Sequence, residues 1–252
     1  MVIFQDRTYN TNVIDRKIET MNTELKGGVG GKSTRMRERF RVETPEPEVL
    51  AKYFAMYSGE HLYAKPEDVL APSSETLFGN GKPLVVDLGC GRGEYLISLA
   101  NESPDNNHVG VDFHTRSLYV GVHQARAQGL ENIMFLRANF EQLLPFFLPS
   151  STESISILFP APIVNPTRIK SDVLKPSTVQ EIYRVLRPGG RFLFKSDAPW
   201  YFSEKLGLIE ALGLFEIGSI IRGIEEPITR YQRQWQSKGI VSNSAEMVKK
   251  PA

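Results

Sequence analysis

The residues that could do chemistry in this chain first appear between positions 85 and 93, which read Val-Val-Asp-Leu-Gly-Cys-Gly-Arg-Gly. An acid, Asp87, precedes three alternating glycines, which are Gly89, Gly91 and Gly93. Glycines at such a turn let the backbone approach a ligand that side chains would block. A second acid, Asp112, ends the next apolar run, 19 residues after Gly93. A glycine turn followed by an acid about 20 residues later is a nucleoside-binding arrangement.

The glycine spacing decides which kind of nucleoside site this is. A dinucleotide fingerprint needs its third glycine at position 94, where it lets a helix pack and hold pyrophosphate, and that position is Glu94. The pattern resembles motif I of the S-adenosylmethionine-dependent methyltransferases instead. In that family the acid before the glycines lies near the methionine part, and the second acid binds the ribose hydroxyls. A turn without a ligand in another α/β protein is the alternative.

The composition limits the class of protein. A chain of 252 residues suits one α/β domain with a modest extension. Its formal net charge of +1 gives no general basic field, so a nucleic-acid partner would need a local patch. The single cysteine, Cys90, excludes an internal disulfide and a cysteine-cluster metal site, and we expect no metal. No stretch reads as a signal peptide or membrane span, which predicts a soluble, cytoplasmic protein without a membrane partner.

The first 82 residues precede the regular part of the chain. Residues 1–43 are predicted to be a flexible basic extension, and its segment 32–41 carries five basic residues and one acid. This segment is either a solvated charged stretch or an arm that contacts phosphates. Residues 44–82 are predicted to be a lead-in, with a helix from Pro45 to Tyr57 and then a loop.

From residue 83 to 248 strand-like and helical stretches alternate, which predicts an α/β fold with a mostly parallel sheet and helices on both faces. The five parallel strands are predicted at Leu84–Leu88, His108–Phe113, Ile133–Arg137, Ser154–Phe159 and Arg191–Ser196. Helices are predicted at Glu94–Glu102, Ser117–Gln128, Phe140–Phe147, Ser177–Leu186 and Tyr201–Gly213. Phe215–Arg222 and Ile240–Val248 are predicted to add an antiparallel terminal hairpin, which makes seven strands in a Rossmann-like methyltransferase sheet. Ligands bind outside the carboxyl ends of such strands. The chain places Asp87, Asp112, Asn139, 160–162 and Asp197 at those ends.

Several separated segments are similar to the bacterial tRNA (guanine-N7)-methyltransferase family, and they occur in the family's order over about 170 residues. The segments are 107–114, 129–133, Leu158-Phe-Pro-Ala-Pro162, Phe194-Lys-Ser-Asp197 and Ile228-Thr-Arg-Tyr-Gln-Arg-Gln-Trp235. Asn139 falls where the family usually has an Asp beside the adenine. The resemblance implies S-adenosylmethionine as cofactor, tRNA as partner, and methyl transfer to N7 of a guanine.

The chain also departs from the family's pattern. The segment Leu158–Pro162 corresponds to a proline box of the family, in which Ala161 replaces the family's Asp. After this box, Ile163 replaces the family's Trp, and Asn165 replaces the basic residue that follows it. Residues 229–232 correspond to a Thr-x-Tyr-Glu box of the family, in which Gln232 replaces the family's Glu. The chain is therefore identified as a divergent member of the family.

The resemblance implies two sets of site residues. The cofactor set is Asp87, Gly89, Gly91, Gly93, Asp112 and Asn139. The substrate set is Asp197, Thr229, Arg230, Tyr231 and Gln232. Asp197 is the remaining acid that could face the base, and we predict it to be catalytic because negative charge there offsets the charge that a methylated guanine gains. Its alternative role is to cap the helix that follows it.

Three functions are compatible with these residues. The first is methylation of a tRNA guanine. The second is methylation of another nitrogen heterocycle or small molecule, which the changes at 161, 163 and 165 motivate. The third is a homologue that binds the cofactor or RNA without catalysis. The oligomeric state is left open.

Overall fold

A mixed sheet of eight strands runs through the part of the chain that the computed structural model describes, which is residues 41–64, 66–163, 172–223 and 229–251. The strands are β1 (Phe54–Met56), β2 (Leu84–Leu88), β3 (Asn107–Asp112), β4 (Ile133–Arg137), β5 (Thr152–Leu158), β6 (Leu186–Ser196), β7 (Phe215–Gly223) and β8 (Ser242–Lys249). Their order across the sheet is β1-β4-β3-β2-β5-β6-β8-β7. The first six in this order are parallel, and β8 lies antiparallel between β6 and β7. The predicted fold class is confirmed.

Helices connect these strands. The described ones are α1 (Pro47–Tyr53), α2 (Gly59–Ala64), α3 (Ser74–Phe78), α4 (Glu94–Glu102), α5 (Thr115–Ala127), α6 (Phe140–Leu143), α7 (Pro176–Val185), α8 (Pro199–Leu212) and α9 (Arg230–Gln236). Short 3-10 turns occur at Pro66–Asp68 and Leu144–Phe146. Helix α4 has the predicted bounds, as do strands β2 and β4, because their apolar periodicity is strong.

Alternate residues of β4 show that helices cover both faces of the sheet. Ile133 and Phe135 belong to a buried apolar cluster with residues of α1, α4 and α5. Met134 and Leu136 belong to the other buried cluster, which includes residues of α2, α6, α7 and α8. Successive side chains of a strand point to opposite faces, so a strand covered on both sides reads as a continuous apolar run.

The lead-in differs from its prediction. The helix predicted from Pro45 to Tyr57 ends at Tyr53, and residues 54–56 form β1, which pairs in parallel with β4. Pairing with the exposed edge of β4 overrides the helical periodicity there, because strand formation depends on its neighbours. Because of β1, the sheet has eight described strands where seven were predicted. The predicted loop after it contains the helices α2 and α3.

The N-terminal extension falls almost entirely outside the described residues. Only its last three residues, 41–43, are described, so the basic segment 32–41 and the flexible extension stay predictions. The division of the chain at residues 43 and 82 also stays a prediction.

Two glycines make room for the ring of Phe135, which is fully buried. A Cβ added to Gly93, just before α4, would overlap this ring. A Cβ added to Gly121 in α5 would lie 2.7 Å from the ring and 2.9 Å from the carbonyl oxygen of Arg92. Both helices therefore approach β4 closely only because these positions lack side chains.

We expect Gly121→Ala to destabilise the protein by about 1–3 kcal/mol, because the added methyl group overpacks the core. In a helix that has space, the same change stabilises by roughly 0.5–1 kcal/mol. Gly207→Ala in α8 is the matched control, since a Cβ there meets nothing within 4 Å. Urea unfolding of both variants measures the difference. A gain of stability in both would contradict the close contact with Phe135.

Candidate active site

The glycine turn after β2 is pinned to the neighbouring strand and is open on its other side. The N–H groups of Gly89 and Cys90 donate to the carbonyl oxygen of Val111 at 2.7 and 3.1 Å. Gly89 and Gly91 have φ values of 82° and 59°, which side-chain-bearing residues rarely adopt. A Cβ at either position would meet nothing within 4 Å. The turn thus presents bare backbone to open space, which is the requirement for a ligand to approach it.

Asp112 holds this turn in place. One carboxylate oxygen accepts a hydrogen bond from the Gly91 N–H at 3.0 Å, and the other accepts from the His114 N–H at 2.8 Å. The residue is only 9% exposed. Each carboxylate oxygen has capacity for more than one hydrogen bond, so the same side chain can also accept from ligand hydroxyls. The acid predicted to bind ribose therefore lies directly against the glycine turn.

Asp87 is the most deeply buried acid of this edge, at 2% exposure. Its carboxylate accepts a hydrogen bond from the Ser156 hydroxyl of β5 at 2.7 Å. Burial, together with a smaller contribution from the charge of nearby Asp112, raises the pKa of Asp87 to about 7, although the hydrogen bond from Ser156 opposes this shift. Burial also raises the pKa of the Cys90 thiol well above its usual value, so Cys90 is a packing residue here rather than a nucleophile.

Asn139 lies at the end of β4, beside Asp112. The preceding residue, Ala138, donates its N–H to the Asp112 carbonyl oxygen at 3.0 Å. The Asn139 side chain accepts a hydrogen bond from the Glu141 N–H at 3.0 Å and so caps α6. Asn139 is exposed, which leaves it at the surface of the same strand-end region as the two acids.

A second cluster forms around Asp197, after β6. The Tyr231 hydroxyl donates to the Asp197 carboxylate at 3.1 Å, and the rings of Tyr231 and Phe159 lie 5.2 Å apart. Phe159 has a φ of 52°, an uncommon conformation that orients the residue after β5. The alternative role of Asp197 as a helix cap is wrong, because α8 has Ala198 at its N-cap position without a side-chain cap.

The Thr229–Gln232 box separates into structural and exposed members. The Thr229 hydroxyl accepts from the Gln232 N–H at 3.0 Å and caps α9. Gln232 is 2% exposed, and its amide donates to the Ser242 hydroxyl at 3.3 Å. Tyr231 is 39% exposed and reaches Asp197. The side chain of Arg230 lies outside the described residues.

Helix α9 connects the two clusters. Arg233, one turn after Thr229, forms an ion pair with Glu94 at 3.4 Å, and Glu94 is the first residue of α4 after the glycine turn. The predicted substrate residues other than Asp197 therefore lie at or on α9, a helix that contacts the start of α4 directly after the glycine turn. Phe159, Ser156 and Arg233 were not among the predicted site residues. Phe159 lies within the proline box, which was the one available signal for it.

The first cluster fits the nucleoside part of S-adenosylmethionine. Its bare turn at Gly89 and Gly91 and its buried acids provide the open backbone and the acceptors that a nucleoside requires.

Among the described residues, no group of three His, Cys, Asp or Glu side chains could hold a metal ion. No helix in the described ranges has the length and apolar character needed to cross a membrane.

Similar known proteins show the class to which this protein belongs. A family model described as "Putative methyltransferase" matches residues 81–243. The fold agrees, since the chain matches a solved "antibiotic related Methyltransferase" with a TM-score of 0.54 and 20% identity, covering 72% of this chain and 96% of that one. It also matches the 16S rRNA methyltransferase KamB with a TM-score of 0.56 and 20% identity, covering 70% and 92%. The protein is a methyltransferase.

Two relatives identify the family. The tRNA (guanine-N(7)-)-methyltransferase of Rubrobacter xylanophilus is 34% identical over 215 residues, which are 84% of this chain and 96% of the relative. The enzyme of the same name from Chloroflexus aurantiacus is 31% identical over 202 residues, which are 80% and 90% of the two chains. The chain belongs to the tRNA (guanine-N7)-methyltransferase family, which confirms the resemblance of its motifs.

We expect Asp87→Asn to flatten the pH dependence of stability. The pKa of Asp87 is about 7 in the folded protein, against 3.8 for the ordinary carboxyl group. Between these values the folded state holds a proton that the unfolded state has released. Asp87 therefore makes the free energy of unfolding fall as pH rises, with a slope of at most about 1.4 kcal/mol per pH unit.

Urea unfolding at pH 4.5, 6 and 8 tests this expectation. Asp105→Asn is the matched control, because Asp105 is an exposed turn residue, and its curve should run parallel to that of the wild type. A parallel curve for Asp87→Asn as well would show that Asp87 does not hold a proton in the folded state.

Proposed function

We propose that this protein transfers the methyl group of S-adenosylmethionine to N7 of a guanine in tRNA. The relatives of that name support the reaction, since they cover most of the chain. The observation that supports this site most strongly is the hydrogen bond from Tyr231 to Asp197. Tyr231 lies on α9, and the ion pair between Arg233 and Glu94 connects this helix to the start of α4, directly after the glycine turn. The site for the methyl donor and the site for the guanine that accepts the methyl group would then lie at the same edge of the sheet.

The cofactor residues position the methyl donor. When bound, S-adenosylmethionine supplies a methyl group that its sulfonium already activates. Gly89 and Gly91 would let the backbone approach it, and Asp112 would accept from the ribose hydroxyls while it holds the turn. As the resemblance to the family implies, Asp87 would lie near the cationic methionine part and Asn139 beside the adenine. Gly93 contributes through packing, since its missing side chain makes room for Phe135.

The acceptor atom needs orientation rather than a base. Guanine N7 has a lone pair and no proton, so the enzyme must hold that atom in line with the methyl group. Asp197 faces the base and offsets the positive charge that the ring gains during transfer. Tyr231 donates to one Asp197 oxygen and so fixes the direction of the carboxylate. Positioning and charge compensation together account for the reaction.

The departures from the family concentrate this role on Asp197. Ala161 brings no charge to the site, and Gln232 is buried against Ser242. A glutamate at position 232 would be desolvated to the same degree as the present side chain, which is 2% exposed. Asp197 is therefore the acid that we assign to the base. A cytoplasmic location, as predicted from the sequence, belongs to the same proposal.

Incubation with unmodified tRNA and labelled S-adenosylmethionine tests the reaction. We expect label in tRNA, recovered as 7-methylguanosine after digestion. Label in small purines or related rings, without a need for polynucleotide, would instead establish a small-molecule acceptor. Cofactor binding without turnover on any acceptor would establish an inactive homologue.

The Asp197–Tyr231 pair generates a prediction of its own. We expect Asp197→Asn to lower kcat/KM for tRNA by about 10²–10³-fold, because charge stabilisation of the transition state is lost. Tyr231→Phe removes one hydrogen bond to a charged group and should cost about tenfold. The double variant should be no worse than Asp197→Asn alone, since the tyrosine acts through the acid.

Calorimetric Kd values for S-adenosylmethionine should not change in these variants. Tyr63→Phe is the control, because Tyr63 is an exposed tyrosine of α2. Fully additive losses in the double variant would show that Tyr231 acts independently of Asp197.

A further inference from the structure

A buried ion pair lies beside the start of α8, among residues that the proposed mechanism does not use. The Lys205 Nζ lies 2.5 Å from the Asp172 Oδ2, and the two side chains are only 6% and 7% exposed. The Tyr201 hydroxyl donates to the other Asp172 oxygen at 2.7 Å, and Tyr201 is also buried. These three polar side chains therefore form one enclosed network.

The network attaches α8 to a separate segment of the chain. Tyr201 and Lys205 are spaced i, i+4 on α8, so their side chains lie on one side of the helix. Asp172 lies before α7, where its carboxylate also accepts the Leu174 N–H at 3.2 Å. Leu174 is fully buried in the apolar cluster that contains residues of α7 and α8. The first two turns of α8 are thus anchored to a fixed point of the core.

The polar character of this anchor sets a direction more than it sets stability. A buried ion pair adds little net stability, because the loss of hydration of two charges offsets their attraction, and apolar residues of similar volume often serve as well. Hydrogen bonds, in contrast, are directional. Burial and the hydrogen bond to Asp172 raise the pKa of the Tyr201 hydroxyl far above its usual range, so the hydroxyl stays a donor.

The direction of α8 determines where Asp197 points. The helix begins at Pro199, two residues after Asp197, and Ala198 at its N-cap position supplies no side-chain cap. The Ala198 N–H donates to the hydroxyl of Ser196, a fully buried residue at the end of β6, and its carbonyl oxygen accepts the Phe202 N–H. Asp197 therefore lies in a short connection between β6 and the first turn of α8. Any change in the direction of α8 displaces its carboxylate.

Asp197 is consequently held through two helices, since Tyr231 on α9 also binds its carboxylate. We propose that Asp172, Tyr201 and Lys205 are positioning residues, which hold α8 so that the Asp197 carboxylate faces the guanine that accepts the methyl group. This inference rests on the proposed function and adds to it the residues that act through Asp197. Accurate placement matters there, because a displacement of about 1 Å at reacting groups can lower a rate by about 10²-fold.

Tyr201→Phe is the first test, because it removes one hydroxyl and keeps the ring that packs on Phe194 and Trp200. We expect kcat for tRNA methylation to fall by about tenfold. The KM for tRNA and the Kd for S-adenosylmethionine should stay unchanged, because the charge of Asp197 acts mainly in the transition state.

Asp172→Asn combined with Lys205→Met is the second test. The two changes remove both charges together, so neither is left buried alone, and the amide oxygen can still accept from Tyr201. We expect the unfolding temperature to stay close to that of the wild type, while kcat falls by about 10–100-fold. A loss of activity without a matching loss of stability is the result expected of a positioning network.

Both variants are then combined with Asp197→Asn. Because the network acts through Asp197, neither variant should lower kcat further once that charge is gone. A network that only stabilises the fold would lower kcat by the same factor with and without the Asp197 charge.

Lys52→Met combined with Glu131→Gln is the matched control. It removes another pair of a lysine and an acid, whose Nζ and Oε1 lie 3.0 Å apart. Glu131 lies just before β4, at the opposite end of the parallel strands from Asp197. We expect kcat, KM and the Kd for S-adenosylmethionine to equal those of the wild type.

The other outcomes overturn the inference. Unchanged kcat in Tyr201→Phe and in the charge-free pair would show that the network has no role in the reaction. Equal losses with and without the Asp197 charge would show that it does not act through Asp197. A change confined to KM for tRNA or to the Kd for S-adenosylmethionine would assign it to binding. All three leave the proposed function intact, whereas wild-type protein that fails to methylate tRNA would refute that function and this inference with it.

Discussion

The hydrogen bond from the Gly91 N–H to the Asp112 carboxylate is the contact on which the site depends. It joins the turn after β2 to the end of β3, and the same carboxylate also takes the His114 N–H before α5. Two further N–H groups of the turn bind the Val111 carbonyl oxygen. One side chain thereby fixes the backbone that must approach a nucleoside. The close packing of Gly93 and Gly121 on Phe135 fixes the helices that follow.

The three acids at this edge of the sheet differ in how they are buried and hydrogen-bonded. Asp87 is enclosed and has a raised pKa, whereas Asp112 is held by backbone N–H groups and Asp197 by the Tyr231 hydroxyl. A cofactor that carries a sulfonium, and a base that becomes positive as it is methylated, both gain from acids at this edge. Negative charge close to the reacting groups thus serves both substrates of the proposed reaction.

Helix α9 shows how the two halves of the site are joined at some cost in stability. Thr229 caps it and Arg233 ties it to the start of α4, which places Tyr231 against Asp197. Its inward face keeps three buried polar atoms that find no hydrogen-bond partner among the described residues, although a fully apolar face would pack better. Natural proteins depart from optimal packing where function requires it. The unpaired atoms of α9 are consistent with this pattern.

The sequence by itself determined the α/β fold, the bounds of β2, β4 and α4, and the glycine turn with its two acids, because these follow from local periodicity and spacing. The tertiary structure decided the rest. Strand β1 exists because β4 offers it an edge, although the local pattern favours a helix. Asp197 meets Tyr231 across 34 residues of chain, and Gln232 turns inward, away from that contact. Such outcomes depend on packing between distant segments, which no local pattern records.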